Sequence, residues 1–387
     1  MNSVKGKGRL TSLFMVLVML FGLMACIPKT VEAAETWDQY LAKKWADCVT
    51  KVTRTDTSEM KTKEMGAEAE KPIPVWGEGE EVKTMTAVTK EINGVSTAVF
   101  EIRTPEELSW AISQANGGLT NGKTLEILND LDMNGEIKQE NKGDVVNVTS
   151  TYKLWPSPTV KNLTILGNDY TVYNLSVSGG NNIGFIGTVS GTVTMNDLHF
   201  RSAKIYGTGS SGHAGIVANS RAGVTNMDNC SLENALVYAA TSSAGGLLGA
   251  SCDTSTSTVI RSRINNSHTK NVYVGGGACG GNLSGPPSGT FENCYAIEGV
   301  VVSMGTGDSG GFISCAGAMD VRNCFTNVSV YGKEETGGFC GAARYDNAGI
   351  KPYFENCYSS GIVEGTKNIG GFVGQTGHSS VKGTIAF

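Results

Sequence analysis

The feature that most constrains the fold is a repeat of about 31 residues that fills the second half of the chain. A glycine followed by an apolar residue recurs seven times with this spacing, and a second column of Leu, Cys or Ser keeps nearly the same period. Chance rarely produces two columns with one period. The first column is Gly184-Phe185, Gly215-Ile216, Gly246-Leu247, Gly277-Ala278, Gly311-Phe312, Gly338-Phe339 and Gly371-Phe372; the second is Leu198, Cys230, Ser262, Cys294, Cys324 and Cys357.

Each repeat consists of short strands with Gly or Asn at the corners, and such a unit buries its apolar face only by stacking on its neighbours. The pattern predicts an all-β fold, a right-handed parallel β-helix (solenoid) of repeats of about 31 residues. Glycine doublets suit sharp corners, where a side chain would collide with the backbone. We assign the repeats to residues 183–387, with the last one incomplete, and the N-terminal cap and first coils to residues 98–182.

Residues 1–33 are predicted to be a signal peptide. Lys5, Lys7 and Arg9 precede an apolar run, Leu10 to Leu23, that is too short to span a bilayer comfortably. Cleavage after Ala33 is one interpretation; the other is a lipoprotein signal in which Cys26 is acylated and retained. Because no later stretch is apolar enough to span a membrane, we expect a secreted or cell-surface protein without a transmembrane span.

Residues 34–97 read as a helical and linker lead-in. Trp37, Leu41, Trp45 and Cys48 have the spacing of one amphipathic helix, whereas Thr55 to Glu81 has the composition of a linker. The next helix is specified more sharply. Thr104-Pro105-Glu106-Glu107 supplies an N-cap, a proline at the first helical position and a capping box, which predicts a helix from Pro105 to about Ala115 within the N-terminal cap.

These motifs resemble those of bacterial surface proteins that carry the GLUG motif, here as Gly245-Gly-Leu-Leu-Gly249, Gly337-Gly-Phe-Cys-Gly341 and Gly370-Gly-Phe-Val-Gly374. The resemblance covers about residues 98–387. It implies a repeat protein similar to large adhesins, and the motif also occurs in immunoglobulin-A-cleaving zinc metalloproteases. Since the last repeat stops half-way, at Lys382-Gly-Thr-Ile-Ala-Phe387, we expect the chain to be a fragment of a longer protein.

Charge and cysteine usage narrow the classes of partner and cofactor. A formal net charge of -5 leaves no basic excess for a phosphate backbone, so nucleic acid is not an expected partner. The ten cysteines include Cys230, Cys294, Cys324 and Cys357, which share a column with Leu198, so we predict buried free thiols; a disulfide is the alternative. No C-x-x-C pair or Cys/His cluster indicates zinc, and no cofactor is expected.

Apparent catalytic motifs coincide with the repeat. Gly307-Asp-Ser-Gly-Gly311 matches a serine-protease string, but its Ser-Gly-Gly-Phe occupies the repeat position of Ala244-Gly-Gly-Leu. The chain contains no H-E-x-x-H, so the zinc-protease activity of some similar proteins does not extend to it. The acids Asp253, Asp308, Asp320 and Asp346 fall at different phases of the repeat, and no convergent carboxylate pair is evident. We therefore expect no enzyme activity.

The remaining candidate is a binding surface. Four tyrosines end corresponding strands and are predicted to stack as a platform for sugar rings: Tyr206, Tyr238, Tyr273 and Tyr331. Two loops, Gly281 to Gly289 and Arg344 to Lys351, would contact a partner. We expect an adhesin or structural stalk that binds host glycans, glycoproteins or extracellular matrix. The alternatives are a polysaccharide-active β-helix enzyme and a non-catalytic fragment of a large surface protease.

Overall fold

The computed structural model describes residues 35–142, 145–150, 154–251, 262–277, 279–286, 288–344, 351–377, 380–382 and 385–386. The predicted signal peptide (1–33) and Cys26 lie outside this set. The chain divides into two compact units, residues 1–40 and 41–387. In the first unit, the rings of Trp37 and Tyr40 lie 5.0 Å apart at the start of helix α1 (Trp37–Val49). None of the described helices is long and apolar enough to cross a membrane.

The second unit is a parallel β-solenoid, as predicted. Residues that point into its core recur in register once per coil, at an average interval of about 31 residues. Each of them is at most 2% exposed, so stacked coils provide the apolar interior that one coil could not. The column is Ile165, Met195, Met227, Ile264, Phe291, Val321 and Phe354.

Five sets of stacked strands, called faces 1 to 5, follow one another along the coils. Face 1 contains Val95–Ile102, Lys123–Ile127, Leu163–Tyr173, Thr192–Arg201, Val224–Asp228, Ser262–Asn265, Gly289–Glu292, Met319–Arg322, Tyr353–Glu355 and Ser380–Lys382. Leu163–Tyr173 and Thr192–Arg201 continue into face 2, which adds Leu131–Asp132, Ser231–Ala239, His268–Gly276, Tyr295–Ile297, Phe325–Thr326, Tyr358–Ser359 and Ile385–Ala386. Ser231–Ala239 and His268–Gly276 continue into face 3, with Ser176–Gly179, Lys204–Gly207, Val300–Ser303, Ser329–Tyr331 and Val363–Glu364.

Two shorter faces close each coil. Face 4 contains Ser243–Gly245, Cys279–Gly281, Ser309–Gly310, Glu334–Gly337 and Lys367–Gly370. Face 5 contains Thr159–Val160, Ile186–Val189, Val217–Asn219, Leu248–Ala250, Ile313–Ala316, Cys340–Ala343 and Val373–Thr376. Three antiparallel pairs complete the strands: Lys61–Thr62 with Lys71–Pro72, Val88–Ile92 with Val95–Ile102, and Ile137–Lys142 with Val145–Ser150.

The corner between faces 1 and 2 is made by asparagines in the left-handed region. Asn266, Asn293, Asn323 and Asn356 have φ between 49° and 56°, a conformation that Asn tolerates better than most residues. Their side chains form a ladder, since the Nδ2 of Asn293, Asn323 and Asn356 each donates to the Oδ1 of the asparagine one coil earlier, at 3.2 Å. The ladder fixes each coil on the one before it.

The Gly-Phe column forms part of the core, with one correction. Phe312, Phe339 and Phe372 stack at ring-centroid distances of 4.6 and 4.8 Å. In the fourth copy, however, the backbone pairing puts Asn282-Leu283 in this column, so the assignment to Gly277-Ala278 was wrong. Asn282 and Leu283 are 0% exposed, and the predicted binding loop from Gly281 to Gly289 therefore begins inside the core.

The cysteine columns need the same kind of correction. Ser267, not Ser262, stands between Cys230 and Cys294, and its hydroxyl accepts the Cys230 N–H at 3.0 Å. On face 5, Ser284 lies between Leu248 and Ile313, whereas Cys279 pairs with Ser243 on face 4. The eight cysteines among the described residues are free, six of them buried, in agreement with the predicted use as small core residues.

The N-terminal elements pack along the solenoid. Helix α2 (Pro105–Ser113) begins at Thr104 with the predicted capping box. Part of the predicted linker is ordered on the coils: the Oγ1 of Thr55 lies 2.6 Å from the Oγ of Ser202, and Thr57 donates to the buried Asp132 at 2.5 Å. Nothing in the sequence indicates these contacts, because the partners are 75 to 147 residues away.

Candidate functional site

Residues 44–51 cover three of the four predicted tyrosines, namely Tyr238, Tyr273 and Tyr331. Tyr206, Tyr273 and Tyr331 are 1%, 5% and 7% exposed. The Trp45 ring stacks on Tyr238 at 5.4 Å, and the Nζ atoms of neighbouring lysines lie over two of the other rings, Lys44 at 4.4 Å from Tyr331 and Lys51 at 5.6 Å from Tyr273. In this conformation the tyrosine faces contact the protein's own helix and the residues after it.

The tyrosines also do not form one ladder. Tyr206 pairs with Tyr238, but the next residue in that column is Gly275, because Tyr273 pairs with Leu236 two positions earlier. The Trp45 indole fills the space above Gly275, where a Cβ atom would lie only 2.8 Å from the ring. The glycine thus makes the slot that admits Trp45.

A continuous aromatic stack, which the sequence analysis missed, lies on face 2. The rings of His268, Tyr295, Phe325 and Tyr358 follow one another at 4.5, 5.2 and 5.1 Å, tilted by 6° to 14°. The sequence signal is an aromatic residue directly after Asn-Cys in three consecutive repeats. Both faces of Tyr295 and Phe325 are covered by neighbouring rings, so only their edges are open to a ligand. The stacked rings join successive coils of the solenoid and do not form a platform for sugar rings.

A charged groove crosses face 1, on the other side of the asparagine corner. Its volume is about 270 Å³, and its walls come from three consecutive coils. Apart from Phe291, the lining side chains project outward, because they alternate along each strand with the buried residues Ile264, Phe291 and Val321. The lining residues are Arg263, Asn265, Thr290, Phe291, Glu292, Asp320 and Arg322.

One side of the groove is held rigid by a network centred on Arg322. Its guanidinium donates to both carboxylate oxygens of Asp320, at 2.9 and 3.0 Å, and to Glu355 at 2.9 Å. It also lies 5.2 Å from the ring centre of Tyr353. Bidentate pairs have defined geometry, so Asp320 and Arg322 present acceptor and donor atoms in fixed positions. A sequence signal was available, since Glu292, Arg322 and Glu355 each directly precede a corner asparagine.

A pair of acids, one of them buried, lies at the start of face 4. Asp308 is 4% exposed, and Glu335 follows it in the next coil, at the same interval that separates Gly311 from Gly338. The Arg344 guanidinium donates to both oxygens of Asp308, at 2.9 and 3.2 Å, and to Glu335. Burial and the hydrogen bond with Glu335 raise the pKa of Asp308 to about 7, against the opposing charge of Arg344.

The predicted absence of a convergent carboxylate pair was therefore wrong for Asp308, whose partner is a glutamate one coil later. Asp320 belongs to the groove on face 1. Asp253, Asp346 and the interior of the predicted loop from Arg344 to Lys351 lie outside the described residues. Across the described part of the chain, no three His, Cys, Asp or Glu side chains converge on a point where a metal ion could bind.

The acid pair gives a test by pH. The folded pKa of Asp308, about 7, lies above the ordinary value of 3.8, so the folded state binds this proton more tightly than the unfolded state. The contribution of Asp308 to the free energy of unfolding is therefore present at low pH. It is lost as the pH rises from the ordinary pKa of 3.8 to the folded pKa of about 7. We expect Asp308→Asn to flatten the fall in unfolding free energy across that window by on the order of 1–3 kcal/mol. Urea titrations of both proteins at several pH values measure it, and identical slopes would contradict it.

Comparison with known proteins finds one solved structure that is similar to this chain. Neither a protein-family model nor a curated protein matches the sequence. A solved structure titled as that of a "putative immunoglobulin A1 protease" from Bacteroides ovatus shares 17% sequence identity with this chain. The match covers 74% of this chain and 84% of that one, with a TM-score of 0.46.

Proposed function

We propose that the protein is a non-enzymatic, exported surface protein whose solenoid displays the face 1 groove for binding saccharides of host glycans, glycoproteins or extracellular matrix. Export and a cell-surface or secreted location rest on the sequence of residues 1–33. The adhesin or stalk role rests on the rigid stack of coils. The observation that carries the proposal is the groove itself, in which a fixed guanidinium–carboxylate pair is open to solvent.

Saccharide recognition suits this lining. Each sugar hydroxyl both donates and accepts, and planar Arg and Asp groups can each bind two neighbouring hydroxyls. The side-chain exposures of Arg322 and Asp320, 46% and 37%, leave polar atoms accessible while their mutual hydrogen bonds hold them in place. Parallel strands fix the distance between adjacent columns, so less conformational freedom is lost when a ligand binds.

The alternative is a polysaccharide-active enzyme, and one observation favours it: Glu292 and Asp320 project from neighbouring strands into the same groove. Acid–base catalysis of glycoside cleavage needs one carboxylic acid kept protonated, usually by burial in an apolar pocket. Glu292 is exposed, and both carboxylate oxygens of Asp320 accept hydrogen bonds from Arg322. The acid with the raised pKa, Asp308, is covered by Arg344. Binding without turnover accounts for these environments better.

The test is a glycan and glycoprotein array, run beside a reducing-sugar release assay with the same protein. We expect binding without release, and a loss of about tenfold or more in affinity when Asp320→Asn and Arg322→Gln are combined. Lys270→Gln with Glu298→Gln is the matched control, because it removes another exposed ion pair, at 3.8 Å and beside face 2. Release of reducing sugar would establish the enzyme, and binding unaffected by the groove variant would reject the groove.

A further inference from the structure

Among the residues that the structure describes, two charges in the groove are left without an ion pair. Arg322 already forms ion pairs with Asp320 and Glu355. Within the described residues, no carboxylate forms a salt bridge with the Arg263 guanidinium and no cation forms one with Glu292. Both side chains are exposed and both line the groove. Within the described part of the chain, the groove therefore contains one available cation and one available anion in addition to its rigid pair.

Their positions in the strands place them beside each other without making them direct cross-strand partners. Arg263 pairs in register with Thr290, and Glu292 pairs with Asn265 and Arg322. Arg263 and Glu292 are thus diagonal neighbours on adjacent strands, with the Thr290 hydroxyl beside the guanidinium. A ligand that places an anion on Arg263 and hydroxyl groups toward Glu292 and Thr290 satisfies both sides of the groove.

We infer that the groove binds a sugar that carries a carboxylate, with the carboxylate on the Arg263 guanidinium and the neighbouring hydroxyls on Thr290 and Glu292. This inference rests on the saccharide-binding function proposed above. A planar carboxylate matches the guanidinium fork in two parallel hydrogen bonds. The lining has two arginines and two acids, so it suits a ligand with one negative charge per sugar and disfavours densely sulfated chains, which need several unpaired cations.

The experiment is calorimetric titration of the full mature chain with four ligands: oligogalacturonate, its carboxyl-reduced counterpart, a sialylated oligosaccharide and the same oligosaccharide without sialic acid. We expect the acidic member of one pair to bind at least about tenfold more tightly than its neutral counterpart. The pair that shows the difference identifies the source of the carboxylate. Arg263→Gln should abolish that difference. Arg201→Gln, at an exposed arginine elsewhere on the solenoid, is the matched control.

The outcomes separate the two proposals. If neutral and acidic ligands bind equally through Asp320 and Arg322, the carboxylate inference is overturned and the saccharide-binding function stands. If Arg263→Gln keeps the preference for acidic ligands, the site of the carboxylate is overturned. If none of the four ligands binds and the array is also silent, the saccharide-binding function fails and the inference fails with it. Circular dichroism of each variant establishes that it is folded.

Discussion

Phe339→Ala is expected to lower the free energy of unfolding by about 3–5 kcal/mol. Phe339 is 0% exposed, and its ring stacks between Phe312 at 4.6 Å and Phe372 at 4.8 Å. Truncation removes apolar burial and leaves a cavity that the surrounding backbone cannot close, because even a Cβ atom on Gly338 would lie 2.0 Å from the carbonyl oxygen of Gly371. Urea unfolding monitored by circular dichroism measures the loss.

Phe325→Ala is the matched control, with the same chemical change. Phe325 also lies between two rings, those of Tyr295 at 5.2 Å and Tyr358 at 5.1 Å, but it belongs to the partly exposed stack on face 2. Solvent can occupy the space that this substitution leaves, so the expected loss is about 1–2 kcal/mol. Equal losses for the two variants would contradict the assignment of the Gly-Phe column to the core.

The repeat made most of the architecture predictable, because a period of about 31 residues with glycine corners allows few alternatives to stacked parallel coils. The local register was less predictable. Hydrogen bonds between the coil that contains Met227 and the coil that contains Ile264 join positions 37 residues apart. Hydrogen bonds between the Ile264 coil and the next coil, which contains Phe291, join positions only 27 residues apart. A long coil is therefore followed by a short one, and a column drawn at constant spacing selects Gly277 in place of Asn282. The pairing between coils decides among several glycine doublets.

The candidate site was less predictable than the fold, for a related reason. The groove brings together outward-facing residues from three coils, and a sequence read one repeat at a time does not show which of them are neighbours. The tyrosines are the reverse case, a predicted binding surface that the structure shows to be covered. Their positions at strand ends suggested an open platform, but the sequence of helix α1 does not say where its apolar side packs. Trp45 and Gly275 are distant in the sequence, and the fit between them is visible only in the folded chain.

Trp45→Ala is expected to cost about 3–5 kcal/mol of unfolding free energy, as large a loss as in the solenoid core. Trp45 is 3% exposed, stacks on Tyr238 at 5.4 Å and fills the slot above Gly275. Its removal leaves Leu41 and Cys48 as the buried apolar side chains of α1 within the second unit, too few to hold the helix firmly. Denaturant unfolding measures the loss, and hydrogen exchange of residues 41–52 shows whether it is confined to the helix.

A double-mutant cycle tests the contact itself. Gly275→Ala places a Cβ atom 2.8 Å from the indole and should cost about 1–3 kcal/mol in the natural protein, yet little when Trp45 is already alanine. Additive losses would show that Trp45 does not occupy the slot above Gly275.

The same variants decide between the two candidate sugar-binding surfaces, the tyrosine faces and the groove on face 1. If Trp45→Ala uncovers the tyrosines and strengthens saccharide binding independently of Asp320 and Arg322, the tyrosine faces are a ligand surface covered by α1. If binding still requires Asp320 and Arg322, the role of α1 is structural.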